Sequence, residues 1–382
     1  MRKRFLAIIL AILMCVGMAP TVSAVAPEIA APSAILIDAA TGTVLFEKNA
    51  HERLAPASVT KVMTLLLVME ALESGRISWT DTVIASETAA AKGGSQVYLE
   101  VGEQMSMDEM LKSVVVSSAN DCATALAEHI AGSEAAFVQM MNSRAAELGC
   151  ADTNFVNCTG LDDEPNAAEH LTSAYDIAIM SRALLSHEKI KDYTTIWMDT
   201  VRGGKFGLSN TNKLVRFFNG TTGLKTGYTS QAGHCLSASA KRDGIELIAV
   251  VLHCESSTDR FQSAKTLLEY GFANYALVSS QSDEPLGTVK VRLGEETLLT
   301  PILQESAPIL IEKAEQSKVK KTVELSGELT APIAPGQQIG TLKIRTDERV
   351  LVSIPILAPH KIEKLTLWQM TVKLLRKLCM GS

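Results

Sequence analysis

The chain has 382 residues, of which 47% are hydrophobic and 20% are charged. Its length predicts about two or three structural units, and its apolar share excludes an intrinsically disordered polypeptide. Lys and Arg number 36 against 42 Asp and Glu, a net charge of -6, which excludes a chain-wide electrostatic interaction with nucleic acid. We therefore expect a globular protein without a nucleic-acid partner.

The N-terminus has the pattern of an export signal. Basic residues at positions 2–4 precede an apolar run from Phe5 to Val16, and Val22-Ser23-Ala24 follows. The run is short for a bilayer span, so we predict a signal peptide over residues 1–24 that is removed after Ala24 rather than kept as an anchor. The mature chain then has 33 positive and 42 negative charges, a net charge of -9, and works outside the cytoplasm.

The cysteines do not form a recognisable framework. Seven are present, one of them within the signal, and none is spaced as Cys-x-x-Cys, which argues against a zinc or redox site. Cys235 and Cys254 either pair across neighbouring strands or remain separate buried thiols. We predict no metal and no cofactor.

In chain order, the first predicted elements are a hairpin and a buried helix. Ile35–Asp38 and Val44–Glu47 read as short strands around a turn. Ala57–Ser74 follows Pro56, ends at Gly75 and is apolar almost all round. A helix without a polar face belongs in a protein interior.

Helices dominate the next hundred residues. Ser106 and Glu109 form a capping-box pattern that opens a helix to about Val116. A polar break separates it from a helix over 122–130, so Ser118 and Asn120 should lie in the turn between the two. Further helical patterns cover 133–148 and 173–185.

A second hairpin follows Lys225-Thr226-Gly227. The strands 234–240 and 245–252 flank a turn at Asp243-Gly244, and a helix over 259–271 comes next. Strands at both ends with helices between them predict an α+β domain over 25–277, with a mixed sheet flanked by helices.

Composition changes after Tyr275, where residues 279–283 read as a linker. Short β-prone runs alternate with turn residues, which predicts a small all-β domain over 284–357. The runs are Val289–Leu293, Ile309–Ile311, Lys318–Leu325, Ile339–Ile344 and Val350–Ile354.

Residues 360–382 have the periodicity of an amphipathic helix. Trp368 and most leucines fall on one half of a helical wheel, while Lys373 and Arg376 fall on the other, although Lys364 falls within the apolar half. The segment carries a charge of +4, and each cation near an anionic membrane is worth about 1 kcal/mol. We favour a peripheral membrane anchor, the alternative being an ordinary helix docked on the protein.

Three short motifs carry the chemistry: Ser58-Val59-Thr60-Lys61, Ser118-Ala119-Asn120 and Lys225-Thr226-Gly227. A serine hydroxyl needs a base, and Lys61, one helical turn from Ser58, can act as one only when it is neutral. Lowering its pKa from about 10.4 to near 7 requires about 4 kcal/mol, which burial and a second cation, Lys225, can supply.

Each motif alone has an ordinary explanation. The Ser-x-x-Lys spacing of the first motif also occurs by chance in Ser186-His187-Glu188-Lys189. Ser118 and Asn120 could merely cap a helix. A Lys-Thr-Gly segment could begin any strand. However, Lys61 lies within an apolar helix, where an unpaired ammonium is costly. The three motifs in this order therefore predict one site.

Such a set of motifs is typical of penicillin-interacting serine enzymes. The chain resembles the D-alanyl-D-alanine carboxypeptidases among the low-molecular-mass penicillin-binding proteins. The resemblance also includes three further segments and extends over the β-rich domain and the terminal helix. These segments are Ile37-Asp38 with Gly42, Pro56-Ala57-Ser58, and Phe155-Val156-Asn157 with Gly160-Leu161.

The resemblance implies a serine β-lactamase/transpeptidase-like fold and a reaction. Ser58 would attack the carbonyl between the last two D-alanines of a peptidoglycan stem peptide, with Lys61 as general base. Ser118 would relay a proton to the leaving amine. β-Lactams mimic this terminus and would acylate Ser58.

The resemblance also implies the substrate-binding groups. Asn120 would hold a substrate amide, while Lys225 and Thr226 would receive the terminal carboxylate. Gly227 would let substrate approach the strand edge. The backbone N–H groups of Ser58 and Tyr228 would form the oxyanion hole.

Three rival functions remain to be tested. A class A-like β-lactamase would need a Glu-x-x-Leu-Asn segment, and residues 162–166 do not match it. A metal hydrolase would need ligand spacing, which the seven histidines lack. A non-catalytic cell-wall-binding protein would not need the intact Ser58 and Lys61.

Overall fold

The computed structural model describes residues 26–163 and 166–380, with side chains in the last helix as far as residue 375. The predicted signal peptide lies outside the described residues. The strands of the first part are β1 Ser33–Asp38, β2 Val44–Lys48, β3 Thr82–Ile84, β4 Gln104–Ser106, β5 Met198–Val201, β6 Phe206–Ser209, β7 Thr221–Thr229, β8 Gly233–Arg242 and β9 Ile245–Cys254.

The helices between and after these strands are α1 Lys61–Glu73, α2 Glu87–Ala90, α3 Met107–Val116, α4 Asn120–Ala131, α5 Glu134–Glu147, α6 Ala174–Leu185, α7 Lys191–Thr194, α8 Leu214–Phe217 and α9 Ser257–Asn274. The six helices predicted for this part are confirmed, and the three short helices α2, α7 and α8 were not predicted. Ser106 caps α3, since its hydroxyl accepts the N–H of Glu109 at 3.3 Å. The first turn of the predicted helix at Ala57 is a 3₁₀ turn over Ala57–Thr60.

The main sheet has five strands in the order β2-β1-β9-β8-β7. The α+β class is confirmed, but all four pairings of this sheet are antiparallel rather than mixed. The reason is that tight hairpins join β1 to β2, β7 to β8 and β8 to β9, and hairpins produce antiparallel neighbours. Strand β7 lies at one edge and leaves that edge open.

Both faces of the sheet are covered. Ile35 and Ile37 of β1 pack into the core that contains α1, α4 and α6, whereas Leu36 packs with Leu267 and Leu268 of α9 on the other face. Alternate residues of a strand point to opposite faces, so a strand that is apolar throughout lies between two layers of helices.

A β-rich module follows α9. Its elements are β10 Tyr275–Val278, β11 Val289–Arg292, β12 Leu298–Leu299, β13 Ile302–Leu303, β14 Ile309–Glu312, α10 Lys313–Gln316, β15 Lys320–Leu325, β16 Glu328–Thr330, β17 Gln338–Arg345 and β18 Val350–Leu357. The five predicted β-runs are confirmed. Strand β10 was not predicted, and it pairs with β14, Tyr275 opposite Glu312, so the module begins before the expected linker.

The last helix, α11, covers Leu367–Met380. The predicted helical start at residue 360 is wrong, because Ile362 pairs with Ile333 and Lys364 with Gly294. These long-range pairings override the local helical pattern, and they place Lys364 outside the helix, where it does not interrupt the apolar face. Leu367 and Trp368 are 84% and 75% exposed, so this face is not docked on the protein.

Candidate active site

The 3₁₀ turn Ala57–Thr60 places Ser58 beside Lys61. The Nζ of Lys61 donates to Ser58 Oγ at 2.9 Å. Ser58 is partly exposed, whereas Lys61 is fully buried. The structure therefore brings the two side chains of the first motif into contact, with Ser58 partly exposed and the Lys61 amine buried.

Two further acceptors hold the Lys61 amine. Its Nζ donates to Asn120 Oδ1 at 2.6 Å and to the carbonyl of Thr159 at 2.8 Å. Burial lowers the pKa of Lys61 to about 7, although nearby Cys158 and Asp121 act in the opposite direction. The amine is thus positioned by uncharged acceptors and can release its proton near neutral pH.

The segment that supplies the Thr159 carbonyl is held by Asn157. Its Oδ1 accepts from the backbone N–H groups of Thr159 at 3.2 Å and Gly160 at 2.7 Å. A Cβ at Gly160 would lie 1.9 Å from the carbonyl oxygen of Ala57. The glycine therefore lets this segment contact the turn that carries Ser58.

The second motif lies between α3 and α4: Ser118 is in the turn, as predicted, whereas Asn120 is the first residue of α4. Asn120 uses both ends of its amide within the protein, since its Nδ2 donates to the carbonyl of Gly93 at 2.7 Å. Ser118 is buried with a backbone φ of 62°. Within the described part of the chain, its hydroxyl has no hydrogen-bond partner.

Strand β7 brings the third motif against the nucleophile turn. A Cβ at Gly227 would lie 2.6 Å from the carbonyl oxygen of Pro56 and 3.0 Å from the backbone nitrogen of Ser58. Only glycine permits this approach. Thr226, which is buried, donates through its hydroxyl to Thr211 Oγ1 at 2.6 Å.

Lys225 is fully buried, and its Nζ donates to the carbonyl of Thr226 at 3.0 Å. Its pKa lies well below the ordinary value because of burial, and the charges of Lys61 and Arg260 lower it further. The prediction that the charge of Lys225 lowers the pKa of Lys61 is therefore corrected: burial is the cause at Lys61. Lys225 resists protonation itself and is a poor source of positive charge.

Arg260 of α9 is a site residue that the sequence analysis missed. Its Nη1 donates to the carbonyl of Gly227 at 2.9 Å and to that of Cys235 at 3.3 Å. It is buried, and burial lowers its pKa. A single arginine in an amphipathic helix gives no sequence signal, because only the packing of α9 on the sheet brings it to β7.

Tyr228, the last predicted residue, lies near the end of strand β7. Its ring is 60% exposed and stacks on His234, with ring centroids 4.3 Å apart. His234 comes from the neighbouring strand β8, directly opposite in register. The pair forms an aromatic wall beside the edge of β7.

Of the two alternatives for Cys235 and Cys254, the structure has separate thiols rather than a disulfide. Cys235 and Cys254 are both buried and free. Burial raises the pKa of Cys235 to about 11 and that of Cys254 to about 12. Neither is a reactive nucleophile at neutral pH.

Comparison with known proteins identifies the family. The family model of D-alanyl-D-alanine carboxypeptidase matches residues 20–256, and that of the penicillin-binding protein 5 C-terminal domain matches residues 278–364. The chain belongs to the D-alanyl-D-alanine carboxypeptidase family. It is a serine-type hydrolase of this family and a low-molecular-mass penicillin-binding protein.

Relatives match both parts of this carboxypeptidase. D-alanyl-D-alanine carboxypeptidase DacF of Bacillus subtilis is 43% identical over 339 residues, which cover 87% of this chain and 86% of DacF. The structure of penicillin binding protein 5 from Haemophilus influenzae is 32% identical, with a TM-score of 0.72, and the match covers 91% of this chain and 100% of that one.

A third relative matches a smaller share of the chain. Penicillin-binding protein D2 from Listeria monocytogenes, in its ampicillin-bound form, is 29% identical with a TM-score of 0.59. The match covers 64% of this chain and 100% of that one.

Proposed function

We propose that this carboxypeptidase removes the terminal D-alanine from peptidoglycan stem pentapeptides through an acyl-enzyme on Ser58. The observation that carries the proposal is the 2.9 Å contact between Ser58 Oγ and Lys61 Nζ, with the pKa of Lys61 lowered to about 7. The open edge of β7 lies directly against this pair, as the contacts of Gly227 indicate.

Ser58 Oγ attacks the carbonyl carbon between the last two D-alanines, and its proton passes to the neutral Lys61 amine. The tetrahedral intermediate then collapses as the carbon–nitrogen bond breaks. Ser118 relays a proton to the leaving amine, and free D-alanine departs. Water hydrolyses the ester, which releases the shortened peptide and restores the Ser58 hydroxyl.

The substrate would lie along β7 as an added strand. The terminal carboxylate would bind Lys225 and Thr226, and this anion would favour the protonated form of the buried lysine. Gly227 allows the close approach. Asn120 would form a hydrogen bond with a substrate amide and would lose one of its hydrogen bonds to Lys61 or Gly93.

The oxyanion would be stabilised by the backbone N–H groups of Ser58 and Tyr228, which come from the nucleophile turn and the end of β7. Two preorganised donors at developing negative charge lower the barrier substantially. β-Lactams carry the same carbonyl and carboxylate, so we infer that they acylate Ser58 too. Ampicillin is bound in the structure of the Listeria monocytogenes relative.

The test is mass spectrometry of the protein after incubation with penicillin, with digestion to map the modified residue. We expect one adduct, on Ser58, which Ser58→Ala and Lys61→Ala abolish. The chain supplies matched controls with the same spacing on its surface, Ser186→Ala and Lys189→Ala, which should leave the adduct unchanged. Rapid loss of the wild-type adduct would instead favour a β-lactamase.

The domain assignment and the location belong to the same proposal. Residues 1–24 direct export, the part as far as α9 forms the catalytic domain, the part from β10 to β18 with the segment before α11 forms the β-rich domain, and α11 anchors the protein peripherally to the outer face of the cytoplasmic membrane. Among the described helices, none combines the length and apolar character that a bilayer span needs.

Exposed apolar side chains at the start of α11 support this anchor. Flotation with vesicles that contain anionic lipid would test it. The double variant Leu367→Ser and Trp368→Ser should abolish binding, whereas Leu298→Ser, which changes an exposed leucine of the β-rich module, should not. Equal binding by all three proteins would contradict a helix-based anchor.

A further inference from the structure

His170 is buried against the turn that carries Ser58, and the proposed reaction does not use it. Its side chain lies edge-on to the ring of Phe155, with ring centroids 5.6 Å apart. Both ring nitrogens have partners. Nδ1 accepts from the backbone N–H of Val156 at 3.1 Å, and Nε2 lies 2.7 Å from Thr60 Oγ1.

The direction of each hydrogen bond follows from its donor. A backbone amide can only donate, so Nδ1 of His170 accepts and the ring proton is on Nε2. The hydroxyl of Thr60 has one proton, which it donates to the carbonyl of Ala57 at 2.8 Å. Nε2 therefore donates to Thr60, and the three bonds form a single directed chain from Val156 to Ala57.

The last acceptor of this chain determines the direction of a catalytic donor. One peptide group contains the carbonyl of Ala57 and the N–H of Ser58. Because a trans peptide is planar, these two groups point in opposite directions. Fixing the carbonyl on the side of Thr60 therefore fixes the N–H on the opposite side.

The turn needs outside support to keep this orientation. Ala57 has a backbone φ of +48°, a conformation that residues with a side chain rarely adopt and that surrounding contacts must hold. Gly160 lies against the same carbonyl. The hydroxyl of Thr60 adds a polar contact that resists rotation of the peptide.

We propose that His170 is a positioning residue that acts through Thr60 and the Ala57 carbonyl to aim the Ser58 N–H at the oxyanion formed during acylation. This inference rests on the proposed function, in which that N–H is an oxyanion donor. Burial and the charge of Lys61 lower the pKa of His170 to about 4. The ring is therefore neutral at neutral pH, as the directed chain requires.

Paired substitutions test the hydrogen bonds at the two ring nitrogens of His170 separately. His170→Asn retains an acceptor near the Nδ1 position but does not reach Thr60, whereas His170→Gln places an amide N–H at the distance of Nε2. Thr60→Val removes the hydroxyl and keeps the side-chain shape, and Thr60→Ser restores the hydroxyl. Each disruptive variant thus has a conservative control.

The measurement is the acylation rate constant for penicillin, separated from its binding constant. H170N and T60V should lower the rate constant by about tenfold to hundredfold at unchanged binding, a part of what loss of an oxyanion donor costs. H170Q and T60S should recover most of the rate. The acylation rate constant of the double variant H170N/T60V should be no lower than that of T60V, since both changes break the same hydrogen-bond chain.

A spectroscopic readout distinguishes positioning from general destabilisation. In isotope-edited infrared spectra of the penicilloyl ester, the carbonyl band should move to higher wavenumber in H170N and T60V, because the carbonyl loses a hydrogen bond. Lower melting temperatures with an unchanged band and rate, or additive losses in the double variant, would overturn the proposal. If H170N does not fold, the T60V and T60S pair decides.

The wild-type protein separates this inference from the proposed function. Absence of any adduct on Ser58 of the wild type would refute the proposed function itself. A normal wild-type adduct with normal T60V kinetics would refute only the role of His170.

Discussion

The catalytic part and the β-rich module differ in how many polar side chains they bury. Lys61, Lys225 and Arg260 are buried in the catalytic part, whereas the described residues after 278 bury only two polar side chains, Ser280 and Thr346. Most ion pairs of the module are exposed, as in Lys343 with Glu324, where both side chains are at least 40% accessible, although the Lys321 side chain that pairs with Asp283 is only 12% accessible. Exposed pairs contribute about 0–1 kcal/mol each.

The desolvation cost of buried cationic groups is therefore concentrated in the catalytic part. A buried lysine loses hydration, which destabilises its charged form and lowers its pKa. That cost has a use only where a neutral amine is needed as a base. The module, with an apolar core and charges at its surface, has the pattern of a structural support.

The largest expected effect is the loss of the base. Lys61→Met keeps the length of the side chain and removes the amine, so the acylation rate with penicillin should fall by about 10³- to 10⁴-fold. Lys343→Met in the module removes a surface lysine and should leave the rate unchanged. Stopped-flow acylation measures both, and similar rates for the two variants would remove the basis of the comparison.

The second effect concerns close packing rather than charge. Gly227→Ala places a Cβ against Pro56 and Ser58, so β7 must shift away from the nucleophile turn. A displacement of about 1 Å in an active site costs about a hundredfold in rate. Gly327→Ala in the module, where a Cβ would meet no atom within 4 Å, is the control and should acylate normally.

A smaller and graded effect should appear with pH. Because the pKa of Lys61 is lowered to about 7, the neutral amine is the main form above this pH and its fraction falls below it. The acylation rate should therefore rise about tenfold per pH unit up to pH 6 and level off above pH 8. A midpoint near the ordinary lysine value would refute the assignment of Lys61 as a neutral base, provided that circular dichroism is constant over the range.

The smallest expected effect on chemistry comes from the core of the module. Leu342 is fully buried there, and Leu342→Ala should lower the free energy of unfolding by about 2–5 kcal/mol through lost burial and a residual cavity. The acylation rate of the folded protein should not change. Urea titration and penicillin kinetics on one sample test this, and a coupled loss of activity would show that the module positions the site.

Local patterns were sufficient for much of the molecule. The boundaries of the six helices predicted before residue 275 agree with the structure within a few residues. Ser58 and Lys61 were predicted as a pair because they lie three positions apart in a helical segment. The capping box and the Asp243-Gly244 turn are local signals as well. The helical pattern at residues 360–366 failed because strand pairing with distant residues replaced it.

The amino-acid sequence by itself determined the order of the elements, the three motifs and the apolar character of the helix behind Ser58. Only the tertiary structure decided which groups surround the reacting pair. The Thr159 carbonyl reaches Lys61 across 98 residues, and His170 reaches Thr60 across 110. Such contacts leave no periodic trace, because they arise when separately formed elements pack and each buried polar atom must then find a partner.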